Sequence, residues 1–295
     1  MRRKLKKLDG VQIASILILT FIVVIILVPF WNALVISFET KGAYAQKPFS
    51  WLPGEFTLSN YEYLFTNAST LITAYIATIL ITIIGTALGM AISTMGAYVF
   101  SRKFFGKKIL FMLTIFTMYF GGGLIPTYIM IKEMGLLDTY TIVILMNLIS
   151  VYNIIIKKNG FESVPMELQE AAMIDGANDL KIFAQVMLPL QKPLLATFSL
   201  FTAVGYWNSW YWPMLLLNSG KKTVLQLFLR AIINSASSVE SAAGNFSLSG
   251  MKLTNTFSLG IQMASVFMVV LPIMLVYPFL QKYFVKGVMV GAVKM

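Results

Sequence analysis

Six stretches of this chain contain no Asp, Glu, Lys or Arg: residues 11–37, 70–100, 109–131, 139–156, 194–217 and 259–280. A helix rises 1.5 Å per residue, so roughly 20 apolar residues cross the ~30 Å hydrocarbon core of a bilayer. Within hydrocarbon every backbone N–H and C=O needs an internal partner, and a helix supplies those partners within each stretch. The chain is therefore predicted to be an all-α polytopic membrane protein with six transmembrane helices in one transmembrane domain, residues 1–295. The fourth stretch is the shortest. Composition agrees: 58% of residues are hydrophobic and 12% charged, where soluble domains carry about 25% charged residues.

Lys and Arg distribution sets the orientation. With the N-terminus inside, the inner segments hold 16 basic residues and the outer segments 7, while acidic residues divide 6 and 6. Both termini are predicted to be cytoplasmic. The net charge of +11 comes from bases at the ends of apolar runs, which points to topology rather than to a nucleic-acid partner. The basic start, Met1 to Lys7, precedes a run too long for a signal h-region and without a small-residue cleavage site, so the run is expected to be a retained helix. The cytoplasmic loop spans about 157–192, and the main external loops about 38–69 and 218–258. In the first external loop Ser59 is a candidate helix cap with Glu62 three residues on, and Trp51, Tyr61, Tyr63 and Phe65 suit a membrane interface. The second carries a short amphipathic stretch, residues 224–233.

Several chemistries are excluded by what is missing. The chain has no Cys and no His, which removes disulfides, thiolate or two-histidine metal sites and histidine-based acid–base catalysis. No metal site and no catalytic residue is predicted. Charge-free spans argue against a proton- or sodium-driven carrier, which relies on ionisable groups or a liganded ion at mid-membrane. There is no phosphate loop; Gly220-Lys221-Lys222-Thr223 has the wrong spacing and lies on the wrong side. If the chain moves a solute uphill, the energy must come from a partner.

Two local patterns shape the spans. Gly85, Gly89, Ser93 and Ala97 recur every fourth residue, a stripe that lets helix backbones approach closely. Gly121-Gly122-Gly123 with Pro126 is expected to interrupt the third span.

The cytoplasmic loop is unusually well punctuated. Ser163 is a candidate N-cap with Pro165 in the first turn. A helix through Glu167 and Glu170 should stop near Gly176 in a left-handed turn, and Asn178 or Asp179 should cap a second helix ending before Pro189. Ala171 and Ala172 leave a flat face that another protein's groove could receive, with Glu170 as a charged anchor. An ordinary helical loop, its alanines present for helix propensity, is equally consistent with these residues.

The order Glu170-Ala171-Ala172, then Asp175-Gly176-Ala177, Phe183, Val186, Leu188-Pro189-Leu190 and Pro193 resembles the signature of ABC importer permeases. It is closest in form to the MalG-like, complex-oligosaccharide branch of the carbohydrate-uptake family. Residues 121–128, 56–61 and Gly291-Ala292-Val293-Lys294 agree, so the likeness covers nearly the whole chain. Val186 stands where the family usually has Ile, and Met295 where relatives often have Gly.

The resemblance implies a bacterial plasma-membrane subunit of a type I importer that takes up sugars. It would work with a second homologous permease, a dimer of cytoplasmic ATPase subunits and an extracellular solute-binding protein. ATP and Mg would be bound by the ATPases, and no cofactor by this chain. Glu170, Ala171, Ala172, Asp175, Gly176, Ala177, Leu188 and Pro189 would couple to the ATPase, with Gly291, Ala292, Val293 and Lys294 as a second contact. Sugars bind through hydrogen-bonding side chains and aromatic faces, which makes Asn147, Tyr152, Asn153, Trp207, Asn208 and Tyr211, with Gly122 at the break, candidates for the substrate path. The alternatives are an importer permease for another solute, such as phosphate, amino acids or peptides, and a membrane scaffold or sensor that moves nothing.

Overall fold

The computed structural model describes residues 9–66, 68–237 and 257–292. Along the chain the helices are α1 (Gly10–Ser37), α2 (Lys41–Gln46), α3 (Ser59–Thr66), α4 (Ala68–Ser101), α5 (Lys107–Tyr119), α6 (Leu124–Glu133), α7 (Tyr140–Met146) and α8 (Val151–Glu162). They continue with α9 (Met166–Ile174), α10 (Asp179–Ile182), a π-helical turn (Phe183–Met187), α11 (Leu188–Leu190), α12 (Lys192–Trp207), α13 (Tyr211–Leu216), α14 (Leu225–Ser237) and α15 (Ser258–Ala292). Among the described residues the extended pairing is limited to an isolated antiparallel bridge, Glu39 with Phe56.

Each charge-free run maps onto helix, but only three do so without a break. By length and composition α1, α4 and α15 can each cross a bilayer, and counting each bent pair as one span raises the number to five. The third run divides into α5 and α6, bent by 107°. Gly123 between them has φ +83, which a residue with a Cβ adopts only with strain. Pro126 follows in the first turn of α6, where its missing N–H leaves no bond unmade. The fourth run divides into α7 and α8, bent by 52°. Asn147 closes α7, and Ser150 caps α8 by accepting from the Asn153 N–H at 3.3 Å. The fifth run stops at Asn208 and resumes at Tyr211.

The fold comprises two compact units, one of Met1–Ala68 with Ala231–Met268 and one of Ser69–Arg230 with Val269–Met295. In the first, α1 is exposed along most of its length and buries only Val35, Ile36 and Ser37, as suits a helix facing lipid or another subunit. Buried Asn60 on α3 donates to the carbonyls of Ser37 and Glu39, both at 3.1 Å. Tyr61 pairs with the Ser37 hydroxyl at 2.9 Å and tilts against Phe38. Ser59 is the first residue of α3 rather than its cap; its N–H donates to Thr57 Oγ1 at 3.1 Å.

The second unit is organised by the small-residue stripe of α4. At Gly85 the ring of Tyr206 from α12 lies against the backbone, so close that a Cβ there would be 2.5 Å from Tyr206 Cζ. At Gly89 the Leu148 carbonyl, in the break between α7 and α8, would lie 2.9 Å from a Cβ. Ser93 accepts from Lys157 Nζ of α8 at 2.6 Å. Ala97 is fully buried in the cluster that holds the loop after α8. In lipid the surroundings are as apolar as leucine, so close packing and interhelical hydrogen bonds replace water exclusion as the source of helix affinity. Toward the other end Ile81, Ile131, Ile142, Val143, Leu216 and Val224 share one core.

Lys157 corrects the sequence reading. The fourth run ends at Ile156, which places Lys157 among solvated cytoplasmic residues, yet α8 continues through Glu162 and Lys157 is fully buried. Its amine also meets Met90 Sδ at 3.1 Å and the Phe198 ring at 5.6 Å. A cation lies inside the helix packing after all.

Candidate functional site

The segment from Met166 to Leu190 forms a compact knob built from its own caps. Helix α9 ends in a full Schellman closure: the Ala177 N–H donates to the Ala172 carbonyl at 2.9 Å and the Gly176 N–H to the Met173 carbonyl at 3.0 Å. Gly176 takes φ +78, as the sequence predicts for this position. Asn178 then caps α10, accepting from the Lys181 N–H at 2.9 Å. Two expectations are corrected. Ser163 ends α8 instead of starting α9, its hydroxyl donating to the Gly160 carbonyl at 2.8 Å, and Pro165 is itself the cap residue of α9. The second helix does not end before Pro189; a π turn carries it into α11, with Pro189 inside. The Leu188–Pro189 pair thus follows one unbroken rod from Asp179.

The knob is tied to the membrane helices at several points. Val164, Ile182 and Met187 are buried with Ala97, Tyr98, Ile154 and Phe161, and Ala172, Ala177, Val186 and Leu188 pack against them. The Tyr98 ring tilts against Phe183, their centroids 4.8 Å apart. Arg102, at the end of α4, pairs with Asp179 at 2.8 Å, and Glu162 receives both Lys107 and Lys158. The Gln191 side chain donates to the Gly160 carbonyl at 2.7 Å. A groove of about 620 Å³ lies beside the knob, lined by Tyr98, Arg102, Phe104, Glu162, Met166 and Met173 among others. The two alanines of the motif divide their work: Ala172 faces the internal cluster, while Ala171 and Glu170 are exposed. Asp175, Gly176 and Pro189 are exposed as well. Ile174 at 87% and Leu180 at 73% exposure are large apolar side chains on the outer surface that the motif alone did not flag.

The path candidates separate into groups. Asn147 is exposed at the break between α7 and α8. Tyr152 is exposed and Asn153 half-buried on α8. Gly122 sits in the gap before α6. Trp207 is buried, and its Nε1 has no hydrogen-bond partner among the described residues. Asn208 accepts from Gln226 Nε2 at 3.1 Å, and Tyr211 meets Trp210 and Trp212 edge-on. Among the described residues no hydrogen bond joins Asn147, Tyr152 or Asn153 to the Asn208 group. Gln226 and Arg230 on α14 enter that group unforeseen, Arg230 lying 4.0 Å from the Trp210 ring centroid. Their spacing of four, on the polar side of the amphipathic stretch, was the available signal. Gly291 and Ala292 end α15; Val293 and Lys294 lie outside the described residues.

Residues 85–290 match the family described as the binding-protein-dependent transport system inner membrane component. The chain belongs to that family. The permease is 38% identical over 271 residues to the polygalacturonan/rhamnogalacturonan transport system permease YtcP of Bacillus subtilis, covering 92% of this chain and 93% of the relative. It is 27% identical to the arabinooligosaccharides transport system permease AraQ of Halalkalibacterium halodurans, covering 93% of each chain. Among solved structures it superposes with TM-score 0.81 and 31% identity on a chain of a bacterial ABC transporter that imports the acidic polysaccharide alginate, covering 92% of this chain and 95% of that one. The fold is that of an ABC importer permease. The chain is a multi-pass inner-membrane protein of a transport family, not an enzyme family.

Proposed function

We propose that this permease is a membrane subunit of an ATP-driven importer for oligosaccharides. Six spans with both termini cytoplasmic, acting as one permease domain, form half of the pathway, and a second homologous permease forms the other half. Two ATPase subunits bind ATP and Mg on the cytoplasmic side, and a solute-binding protein delivers sugar to the outer loops. Relatives named for arabinooligosaccharide, polygalacturonan and alginate transport support a saccharide cargo.

The observation that carries this reading is the knob from Met166 to Leu190. Its exposed face presents Glu170, Ala171, Met173 and Ile174, suited to an ATPase cleft. Its inner face is clamped to α4 and α8 through Ala172, Ile182 and the Arg102–Asp179 pair. A push on a rigid, clamped body moves the helices it is clamped to, which is how a packed element transmits a change between two states. Asp175, Gly176 and Ala177 hold the angle between α9 and the rod, and Leu188 and Pro189 carry that rod back to α12. Gly291 to Lys294 give the ATPase a second contact. The protein contributes motion and a path; nucleotide chemistry belongs to the ATPases.

The test is reconstitution with the partner subunits in liposomes, comparing Glu170→Lys and Gly176→Pro with the unaltered complex. Saccharide uptake should fall at least tenfold in both while the subunits still co-purify. Unchanged uptake in assembled complexes would refute the coupling role.

A further inference from the structure

The side chains around Arg230 make up a small recognition surface within the second unit. Helix α14 is seated by its own start: the Leu225 N–H donates to Thr78 Oγ1 of α4 at 2.9 Å, and Val224, Leu225, Leu227 and Phe228 are buried. With that face committed to the core, Gln226 and Arg230, four residues apart, share the opposite side of the helix. They meet the segment between α12 and α13. Gln226 Nε2 donates to Asn208 Oδ1 at 3.1 Å, and the Arg230 guanidinium lies 4.0 Å from the Trp210 ring centroid. Asn208, Trp210 and Tyr211 are exposed, and Gln226 and Arg230 are half-buried.

The chemistry left open is specific. Stacking on an indole uses the face of a guanidinium and leaves its in-plane N–H donors for a planar anion. Among the described residues no carboxylate pairs with Arg230. Asp138, the acid of the neighbouring loop, is engaged by Ser219 and Lys222 instead. The Gln226–Asn208 amide pair keeps one donor, Asn208 Nδ2, and one acceptor, Gln226 Oε1, unused among the described residues. Exposed Tyr211 adds an aromatic face beside Trp210, edge-on at 5.8 Å. A fixed guanidinium, a free amide donor and acceptor, and aromatic faces answer to a sugar ring bearing a carboxylate.

We infer that Arg230, Trp210, Asn208 and Gln226 form a subsite for the uronate unit of an acidic oligosaccharide. The inference rests on the saccharide-importer reading and deepens it: Arg230 takes the carboxylate in a bidentate charge-assisted contact, Trp210 and Tyr211 cover the ring, and the amide pair reads its hydroxyls. Such a subsite selects charge as well as shape, because a neutral ester offers the guanidinium no anion.

The test uses the importer assembled with its partner permease and ATPases in nanodiscs, titrated with trigalacturonate and with its neutral trimethyl ester, followed by tryptophan fluorescence. The acid should bind at least tenfold more tightly than the ester. Arg230→Gln should abolish that preference while changing ester affinity less than twofold, and Arg230→Lys should restore part of it. Trp210→Phe should remove most of the fluorescence change. Equal binding of acid and ester by the unaltered importer, a preference that survives Arg230→Gln, or an equal loss for both probes would overturn the subsite. Uptake of maltotriose by proteoliposomes supplied with the solute-binding protein separates the two readings. Uptake without acid preference sinks the uronate subsite alone, whereas no binding or uptake of any saccharide sinks the importer reading with it.

Discussion

Gly85→Ala puts the packing of the α4 stripe to a quantitative test. The new Cβ would lie 2.5 Å from Tyr206 Cζ and 2.7 Å from both ε carbons. Carbon atoms rest at about 3.5–4.0 Å, so the ring must retreat by roughly 1 Å. It cannot do so freely, because the Tyr206 hydroxyl donates to the Ile144 carbonyl at 2.9 Å and the side chain is buried. Overpacking costs about 1–3 kcal/mol, and loss of the hydrogen bond adds about 1 kcal/mol. Alanine recovers about 1 kcal/mol because it suits a helix interior better than glycine. The net destabilisation is about 1–3 kcal/mol, or roughly 2–10 °C in melting temperature for a chain of this order. Gly96→Ala on the same helix is the control, since its Cβ would meet only Ile154 Cδ1 at 3.9 Å and should leave stability unchanged or raised. Thermal unfolding of the purified permease in detergent compares the two variants, and Tyr206→Leu in the Gly85→Ala background should recover much of the loss. If Gly85→Ala melts at or above Gly96→Ala, the argument from close approach is wrong.

Other perturbations follow from single contacts. Ser93→Ala deprives the buried Lys157 amine of its oxygen partner and should cost about 1.5–3 kcal/mol, whereas Lys157→Met, which keeps the volume and removes the charge, should be neutral or stabilising; equal damage from both, in the same melting assay, would contradict a penalty due to the charge. Gly176→Ala meets no neighbour within 4 Å but must hold φ +78, so it should lose about 1–2 kcal/mol of local stability, read as faster amide exchange across α9 with little change in global melting. Asp138 gives a pH signature: burial pushes its carboxyl up, but hydrogen bonds from Ser219 and the charge of Lys222 outweigh this and hold it below its ordinary value of 3.8. A depressed folded-state pKa stabilises fully above the unfolded value and loses that contribution as pH falls through the folded one. The melting difference between the unaltered protein and Asp138→Asn should therefore shrink as pH drops below about 4, and a difference independent of pH would refute it. Asparagine tolerates the left-handed backbone that Asp138 adopts at φ 57, so the comparison isolates charge.

Much of the molecule was legible because its signals are local. A charge-free run long enough to span a bilayer needs no knowledge of its neighbours to become helix; each of the six runs is helical over most of its length, three of them without a break. The triple glycine announced the break before α6, and Gly176 with Asn178 or Asp179 announced the turn within the knob from Met166 to Leu190, since such residues satisfy backbone groups within a few positions. Where two local readings competed, the sequence was a poorer guide. Ser163 can cap a helix on either side, and only the register of α8, fixed by Phe161 packing on Tyr98, decided that it closes one instead of opening the next. Asn147 and Ser150 carried the same end-and-start chemistry inside an apolar run, which masked the break between α7 and α8.

Contacts across long separations belonged to the tertiary structure alone. Ser93 and Lys157 are 64 residues apart, Arg102 and Asp179 77 apart, and Asn208 and Gln226 18 apart. Hydrophobic period and capping chemistry report what a residue does to its own turn of helix; they do not report which helix will lie against it. Thus the bilayer-spanning character, the helix breaks and the cap chemistry were written in the amino acids. Folding decided which cation is buried, which alanine of the motif faces inward and which arginine lies over a tryptophan. The physical reason is that backbone hydrogen bonds are satisfied within one segment, whereas side-chain charge and aromatic faces find partners only once segments pack.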